Sequence, residues 1–231
     1  MIEGHNLTRR YGAVAALRDA SISVPEGEIR GLIGPNGAGK STLIDVLSGR
    51  AENASGTVSI QGRDVTRLSA QERRVAGLGR SFQRTNIFAN LTIADQLEIA
   101  GFTVSEPNVE EVMAELGLLE VADEVAGQTS YGIQRRVDLA LALIGRAKVL
   151  LLDEPAAGLS AAESIALSKM LRDLVHRWRV TVLIVEHDME VVFSICDRIT
   201  VLHLGQILTE GTPAQIRTSP EVVKAYLGSA A

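Results

Sequence analysis

The sequence of 231 residues lacks several features that would place it in familiar protein classes. Its one cysteine, Cys196, cannot form an internal disulfide bond, which predicts a reducing, cytosolic compartment. Prolines number only 6 beside 21 glycines, and this ordinary globular composition excludes disordered and collagen-like chains. The longest apolar stretch, Leu139 to Ile144, is far shorter than the ~20 residues of a membrane-spanning helix. The segment from Met1 to His5 lacks the basic and apolar runs of a secretion signal.

Positive charge is also scarce. Lys and Arg number 23 against 28 Asp and Glu residues, which gives a net charge of −5. Such a chain offers no bulk attraction to a phosphate backbone, so no nucleic-acid partner is expected. The length suits one domain with lobes and is too short for two independent catalytic modules.

Short apolar segments that alternate with helical patterns predict an α/β fold. Strands are expected at Ala20–Val24, Ile29–Ile33, Thr57–Ile60, Val149–Leu152 and Val180–Val185. A helix from Ala161 to Trp178 separates the last two strands, and this order is typical of a parallel sheet covered on both faces. The segments Ile199–Leu204 and Gln206–Leu208 predict a hairpin, with short helices near Ala214 and Val222.

Between Asn90 and Gly127 the pattern becomes helical, which predicts a helical insert. Its apolar residues follow the spacing of one helix face at Val109, Val112, Met113 and Leu116. Two helix starts are predicted where a capping side chain stands three positions before a carboxylate: Asn108 with Glu111, and Thr92 with Asp95.

A phosphate-binding loop is the most specific motif of the sequence. It reads Gly34, Pro35, Asn36, Gly37, Ala38, Gly39, Lys40, Ser41 and Thr42. The motif follows a predicted strand and precedes an apolar helix, as its mechanism requires. Its glycines let backbone N–H groups converge on anionic oxygens, Lys40 supplies an ammonium group, and Ser41 offers a hydroxyl to Mg²⁺. The loop therefore predicts a site for a nucleoside triphosphate.

Acidic residues follow the strand Val149–Leu152. Asp153 is the candidate ligand of Mg²⁺, because a P-loop enzyme needs one acid at the metal. Glu154 points elsewhere and is the candidate base for the attacking water. His187 follows the next strand and lies at the same sheet edge if that sheet is parallel, where it can donate to the γ-phosphate. An ordinary polar residue after a strand is an equally weighted interpretation of His187.

Five motifs in order resemble the full motif set of the ABC transporter ATPases. They are the phosphate loop, Gln83 in Arg80-Ser81-Phe82-Gln83, the signature segment Ser130–Arg136, the strand end Asp153-Glu154-Pro155, and His187. The resemblance covers the whole chain and is similar in detail to the ATPases of branched-chain amino-acid importers. It implies a P-loop NTPase (RecA-like) α/β core with an N-terminal antiparallel β subdomain and an α-helical subdomain. Residues 1–231 would form a single ABC ATPase domain, with the core and β subdomain in 1–84 and 148–231 and the helical, signature-bearing subdomain in 85–147.

The resemblance also implies how ATP and Mg²⁺ are held. Two cassettes face head to tail, and each ATP lies between the phosphate loop of one and Ser130 and Gly132 of the other. The residues expected to act in catalysis are Glu154, His187, Gln83 and Lys40. The expected ligands of Mg²⁺ are Ser41, Gln83 and Asp153. Tyr11 resembles the aromatic residue that stacks on adenine, although an aromatic after two arginines can equally cover a strand edge.

The partners implied by the resemblance are transmembrane permease subunits that dock on the helical insert. The chain would pair as a homodimer or as a heterodimer with a related ABC ATPase, and would serve a periplasmic or extracellular solute-binding protein indirectly. It would be cytoplasmic and peripheral on the inner face of the cell membrane. The expected activity is ATP hydrolysis that drives uptake of branched-chain amino acids or a related small polar solute.

Four positions depart from the family pattern, one of them Leu141, which stands where Arg is usual. Thr129 stands where Leu is usual, and Ile133 replaces the Gln that ends the signature and cannot hydrogen-bond a nucleotide. These two departures motivate one alternative, a non-catalytic nucleotide switch. Another alternative is a soluble ABC ATPase that acts on nucleic acid or ribosomes, but the coiled-coil, zinc or second-cassette elements typical of that class are not in this sequence. Ser160 stands where many cassettes have Asp, and its spacing to Glu163 predicts a helix-capping role.

Overall fold

Two β-sheets and a set of helices form the structure, a computed structural model that describes residues 1–52, 54–105 and 107–227. In chain order the strands are β1 (Ile2–Tyr11), β2 (Val14–Val24), β3 (Ile29–Ile33), β4 (Ser55–Ile60), β5 (Arg63–Asp64), β6 (Leu78–Arg80), β7 (Val149–Asp153), β8 (Thr181–Val185), β9 (Arg198–His203) and β10 (Gln206–Gly211). The α-helices are α1 (Lys40–Leu47), α2 (Ala70–Val75), α3 (Ile93–Gly101), α4 (Val109–Glu115), α5 (Tyr131–Leu143), α6 (Ala161–Trp178), α7 (Met189–Ile195), α8 (Pro213–Arg217) and α9 (Pro220–Leu227). Short 3₁₀ helices occur at Leu119–Val121 and Ala126–Gln128.

The larger sheet has the strand order β10-β9-β3-β8-β7-β6. The pairs from β9 to β6 are parallel, and only β10 runs antiparallel on its neighbour β9. The parallel sheet and the β9–β10 hairpin are confirmed as predicted. Because β3, β7 and β8 are parallel, the segments that follow them emerge at one edge of the sheet. These segments carry the phosphate loop, the two acids and His187.

The central sheet separates two apolar clusters. Along β7, Leu150 and Leu152 belong to the cluster formed with α5, α6 and α7, whereas Val149 and Leu151 belong to the cluster formed with α1 and the smaller sheet. Strand β8 is buried along its whole length, as expected for a strand that is covered on both faces. This packing holds the carboxyl edge of the sheet rigidly in place.

A smaller antiparallel sheet has the order β2-β1-β4-β5. Strands β2 and β3 are adjacent in sequence but lie in different sheets, and the turn Pro25–Gly27 joins them. The prediction covered only Ala20–Val24 of β2, because the first half of this strand mixes polar and apolar residues without regular alternation. Strand β1 has register shifts against β2 and was also not predicted.

The segment between β6 and α5 is helical as predicted, but one predicted cap is wrong. Thr92 caps α3, since its hydroxyl accepts a hydrogen bond from the N–H of Asp95. Asn108 precedes α4 and makes no side-chain cap. Its Oδ1 instead accepts from the N–H of Gly145 at 2.9 Å. Asn108 is buried, and a buried backbone N–H needs a partner, so this distant contact replaces the local capping interaction.

Helix α6 has the predicted bounds. Ser160 and Glu163 form the predicted capping box, in which each side chain accepts a hydrogen bond from the backbone of the other. Leu167, Leu171, Leu174 and Val175 form the buried apolar face of α6. Among the described residues, no helix combines the length and the apolar character needed to cross a membrane.

Candidate active site

The phosphate loop joins β3 to α1, and two of its glycines are required by space. A Cβ on Gly34 would lie 2.1 Å from the carbonyl oxygen of Leu202, and Gly34 has a φ of 155°. A Cβ on Gly39 would lie 2.5 Å from the carbonyl oxygen of Ala16, and Gly39 has a φ of 107°. Only glycine fits at both positions, so the backbone path of the loop restricts the sequence there.

Lys40 begins α1, and its ammonium group turns back over the loop. Its Nζ donates to the carbonyl oxygens of Gly34 at 2.6 Å and Pro35 at 3.1 Å. Burial lowers the pKa of Lys40, and the charges of Glu154 and Asp153 oppose that shift. The pKa of the ammonium thus responds to the charges of Asp153, the last residue of β7, and of Glu154 after it, which links the two predicted motifs.

Asp153 ends β7 and is half-buried. Burial raises the pKa of its carboxyl group, the charge of Glu154 adds to the rise, and the charge of Arg80 opposes it. A divalent cation beside Asp153 would offset this repulsion between neighbouring carboxylates. The hydroxyl of Ser41 and the amide oxygen of Gln83 are oxygen ligands of the kind that Mg²⁺ prefers, so the donor set fits that ion.

Glu154 has the most constrained backbone of the site. Its φ of 51° lies in the left-handed region, which non-glycine residues adopt at a cost of about 1–3 kcal/mol. Its N–H donates to the carbonyl oxygen of Val185 at 2.8 Å, which ties it to the end of β8. The side chain is only 12% exposed. Such strain persists only where the surroundings hold the residue, and it is often found at active sites.

The Glu154 carboxylate is held between two predicted site residues. The Nε2 of Gln83 lies 2.8 Å from one carboxylate oxygen and donates to it. The Nε2 of His187 contacts the other oxygen. The structure thus brings Lys40, Gln83, Asp153, Glu154 and His187 together, although His187 meets the carboxylate rather than the position expected for a phosphate.

Glu186 and Tyr226 also contact the site, and sequence reasoning assigned a role to neither. The Glu186 carboxylate is buried and accepts from the N–H of Ala156 at 2.7 Å and of His187 at 3.2 Å. Burial raises the pKa of this group. Burial raises the pKa of the Tyr226 hydroxyl, and the nearby backbone of Gly34 opposes that rise. The sequence offered a signal for Glu186, because it is an acidic residue directly after β8 and beside His187. No local pattern links Tyr226 of α9 to the phosphate loop.

A cavity of about 400 Å³ opens beside the loop. It is lined by Gly34, Pro35, Asn36, Glu186, His187, Met189 and Tyr226. Gly37 is exposed, Ala38 is buried, and Thr42 is half-buried in the first turn of α1. Gly34, Pro35 and Asn36 of the predicted loop therefore form one wall of the cavity, and the segment after β8 forms another.

Three predicted residues lie elsewhere. Tyr11 ends β1, is half-exposed, and has the guanidinium of Arg9 at 4.5 Å from its ring centre. Ser130 caps α5, with its hydroxyl accepting from the N–H of Ile133 at 3.4 Å. Ser130 and Gly132 line a separate cavity of about 70 Å³ with Ile133 and other residues. Among the described residues, Ser130 and Gly132 do not line the phosphate cavity of their own chain.

Comparison with known proteins gives consistent matches. A family model described as "ABC transporter" matches residues 17–157, and one described as "Branched-chain amino acid ATP-binding cassette transporter" matches residues 206–231. The chain is 36% identical to the high-affinity branched-chain amino acid transport ATP-binding protein BraF of Pseudomonas aeruginosa, over 100% of this chain and 98% of that protein. It is 34% identical to LivG of Salmonella typhimurium, a protein of the same description, over 98% and 97% of the two chains.

Solved structures give the same result. The ADP conformation of MJ1267, an ATP-binding cassette of an ABC transporter, matches with a TM-score of 0.88 and 28% identity over 99% of this chain and 98% of that chain. The dimeric structure of MJ0796, a bacterial ABC transporter cassette, matches with a TM-score of 0.81 and 26% identity over 92% and 99% of the chains.

Proposed function

Because the chain belongs to the ABC transporter ATP-binding family, we propose that it hydrolyses ATP to drive a separate membrane permease for the uptake of branched-chain amino acids. The observation that carries the proposal is the meeting of Lys40, Gln83, Glu154 and His187 at the carboxyl edge of the central sheet. The matches to BraF and LivG support the class of solute. We place the chain in the cytoplasm, on the inner face of the cell membrane.

Phosphate binding is assigned to the loop and to Lys40. The backbone N–H groups of the loop and the positive end of α1 attract the phosphate oxygens. The ammonium of Lys40 exchanges the carbonyl oxygens of Gly34 and Pro35 for phosphate oxygens, which carry full negative charge and bind more strongly. Tyr11 stacks on the adenine base.

Ser41, Gln83 and Asp153 would hold Mg²⁺. When bound, the ion neutralises part of the charge on the phosphate groups. Asp153 is suited to this role because its burial beside Glu154 disfavours two free negative charges. The oxygen ligands come from three different segments, which restricts the ion to the place where those segments meet.

Proton removal from the attacking water is assigned to Glu154. Its side chain is only 12% exposed, so bulk water has little access to the carboxylate. Gln83 and His187 hold the two oxygens and orient the carboxylate. His187 is exposed, and its Nε2 would move from Glu154 to the γ-phosphate when ATP is present. Glu154 then acts as the general base while His187 stabilises the charge of the γ-phosphate in the same site.

A second cassette completes the site in this proposal, as a copy of this chain or a related ATPase. Ser130 and Gly132 line a cavity other than the phosphate cavity, so within one chain they have no assigned ligand. The start of α5 offers a capped helix N-terminus that suits an anion presented by a facing chain. The dimeric MJ0796 cassette supports such an arrangement.

Replacing Ser130 with aspartate tests the facing arrangement. Aspartate caps helices as well as serine does, so α5 should remain intact. Its negative charge would meet the γ-phosphate of the facing site, and we expect ATP-induced dimerisation to weaken at least about tenfold, since like charges at an interface cost several kcal/mol. ATP affinity of the single chain should be unchanged. Analytical ultracentrifugation with ATP, in a Glu154→Gln background that prevents turnover, measures the dimer.

Ser130→Asn is the matched control, because asparagine keeps the cap and adds no charge. The asparagine variant should dimerise with ATP nearly as the parent chain does. Equal dimerisation of the aspartate and asparagine variants would show that Ser130 does not face a phosphate.

Permease docking is assigned to a groove of about 420 Å³ between the core and the helical segment 85–147. Phe82 and Phe88 line it beside Ile99 of α3, and Phe88 and Ile99 are exposed apolar side chains. Gln83 follows Phe82 directly in the chain. A permease segment seated here would therefore contact the loop that carries a ligand of the active site.

Ile99→Asp is expected to lower permease affinity by about 10- to 100-fold, the usual cost of losing a central apolar contact. The fraction of permease retained on immobilised chain measures the effect. Val223→Asp on α9 is the matched control, because Val223 is 49% exposed and Ile99 is 48% exposed. Thermal unfolding of both variants checks their stability. Equal retention of the two variants would place the permease elsewhere.

Transport itself tests the class of solute. The chain is reconstituted in vesicles with transmembrane subunits and a solute-binding protein of the same organism, and uptake of labelled leucine, isoleucine and valine is followed with Mg-ATP inside or outside. We expect uptake into the vesicles only when the chain and Mg-ATP are both on the inner side of the membrane. Uptake of an unrelated solute by the same assembly, with none of the three amino acids carried, would contradict the proposal.

A further inference from the structure

Arg135 lies in the second turn of α5 and is only 4% exposed. Its guanidinium donates to four backbone carbonyl oxygens in two other segments. The acceptors are Phe82 at 3.0 Å, Gln83 at 2.6 Å, Glu154 at 3.4 Å and Ala157 at 3.4 Å. One side chain of the signature helix therefore bridges the Gln83 loop and the backbone of Glu154.

The buried charge of Arg135 has electrostatic partners. Asp138 lies one turn further along α5, is also buried, and accepts a hydrogen bond from the N–H of Asn86 at 3.0 Å. Burial raises the pKa of Asp138, and the charge of Arg135 opposes that rise. The ring of Tyr131 lies 5.3 Å from the guanidinium, within the range of a cation–π contact. The guanidinium is thus fixed from several sides, as a positioning group requires.

We propose that Arg135 is a positioning residue for ATP hydrolysis, and this role rests on the proposed function of Glu154 as the base. Gln83 and Glu154 are distant in sequence, yet the Gln83 amide donates to the Glu154 carboxylate. Arg135 binds the backbone carbonyl of each residue. It fixes the distance between the two segments and holds Glu154 in its left-handed conformation, which the local chain does not favour.

The geometry requires the planar fork of arginine. Nη1 reaches Phe82, while Nη2 reaches Gln83, Glu154 and Ala157. A lysine has a single donor atom on a flexible stem, so it can serve one of the two segments but does not hold both in a fixed plane. Because Ser130 caps the start of α5, the same bridge also sets the position of the signature relative to the base of its own chain.

Steady-state ATP hydrolysis by the full chain tests this role, because loss of a positioning residue should lower kcat and leave the KM for ATP nearly unchanged. We expect Arg135→Gln to lower kcat by about 10- to 100-fold, the effect of a small displacement of catalytic groups. The KM for ATP and the Kd for a fluorescent ATP analogue should change by less than about twofold, because Arg135 does not contact the phosphate loop in the described geometry. Arg135→Lys should recover part of the lost kcat.

Arg73 provides a matched control for a purely structural loss. It is also 4% exposed, and its guanidinium donates to four backbone carbonyl oxygens, those of Val46, Leu47, Thr66 and Leu68. Arg73→Gln should destabilise the fold to a similar degree in urea titration while keeping kcat per folded molecule. Should Arg135→Gln fail to fold, Arg135→Lys supplies the same comparison.

The outcomes separate the two proposals. An active wild-type chain whose Arg135 variants keep the wild-type kcat, or lose it only as much as Arg73→Gln does, overturns the role of Arg135 alone. A wild-type chain whose turnover equals that of Glu154→Gln contradicts the proposed role of Glu154 and, with it, the role of Arg135. A kcat loss confined to the Arg135 variants supports the positioning role.

Discussion

Replacing Glu154 with glutamine is expected to slow ATP hydrolysis by about two to four orders of magnitude, the usual contribution of a general base. Glutamine has the same size and can still contact Gln83 and His187, but it cannot accept the proton of the attacking water. ATP affinity should persist or rise slightly, because the substitution removes a negative charge beside the phosphate site. The substitution therefore separates binding from chemistry.

Phosphate release and nucleotide affinity, measured on the same preparation, check this result. Glu190→Gln is the control, since Glu190 is an exposed acid in the first turn of α7, close to the site in sequence and outside its contacts. It removes the same charge and should keep normal turnover. Unchanged phosphate release from Glu154→Gln would assign the base elsewhere. Wild-type turnover as low as that of Glu154→Gln, with the permease present, would instead favour the nucleotide switch.

The fold was most predictable where a local rule and the tertiary packing agree. Strand β3 has the predicted bounds because five consecutive residues of a doubly covered strand are all buried. Helix α6 has the predicted bounds because a capping box fixes its start and an apolar stripe continues to its end. Strand β6 was missed, since its three residues Leu78–Arg80 form a strand only by pairing with β7. Its structure depends on a neighbour that no local pattern identifies.

The same distinction applies to the candidate site. Lys40, Asp153 and Glu154 could be predicted as site residues because each stands in a motif spacing or at a strand end that suits its proposed role. Arg135 was missed because its acceptors lie 53 and 52 residues away at Phe82 and Gln83, and no rule of spacing along α5 predicts them. The cap predicted at Asn108 was wrong for a related reason, since its side chain accepts from the N–H of the distant Gly145 instead of an N–H at the start of α4.

Replacing Lys40 with alanine is expected to lower ATP affinity by about 100-fold. Two charge-assisted hydrogen bonds at about 1.5 kcal/mol each account for that factor, because 1.4 kcal/mol is tenfold in affinity. The Nζ of Lys40 now bonds the carbonyl oxygens of Gly34 and Pro35, so alanine also removes the group that holds the loop closed on itself. Isothermal titration with ATP in the presence of Mg²⁺ measures the loss, and Lys169→Ala, at an exposed lysine of α6, is the control.

AMP distinguishes the two effects of the Lys40 substitution. Loss of the ammonium group weakens the binding of ATP, because this group would contact the β- and γ-phosphates. It changes the affinity for AMP, which lacks these phosphates, by only about twofold or less. A distorted loop would weaken the binding of both ATP and AMP, because the backbone N–H groups would no longer converge on the phosphate oxygens. The φ angles and close backbone approaches at Gly34 and Gly39 do not involve Lys40, so the path of the loop should survive the substitution. We therefore expect ATP affinity alone to fall, and equal losses for ATP and AMP would contradict the proposed contact between Lys40 and the terminal phosphates.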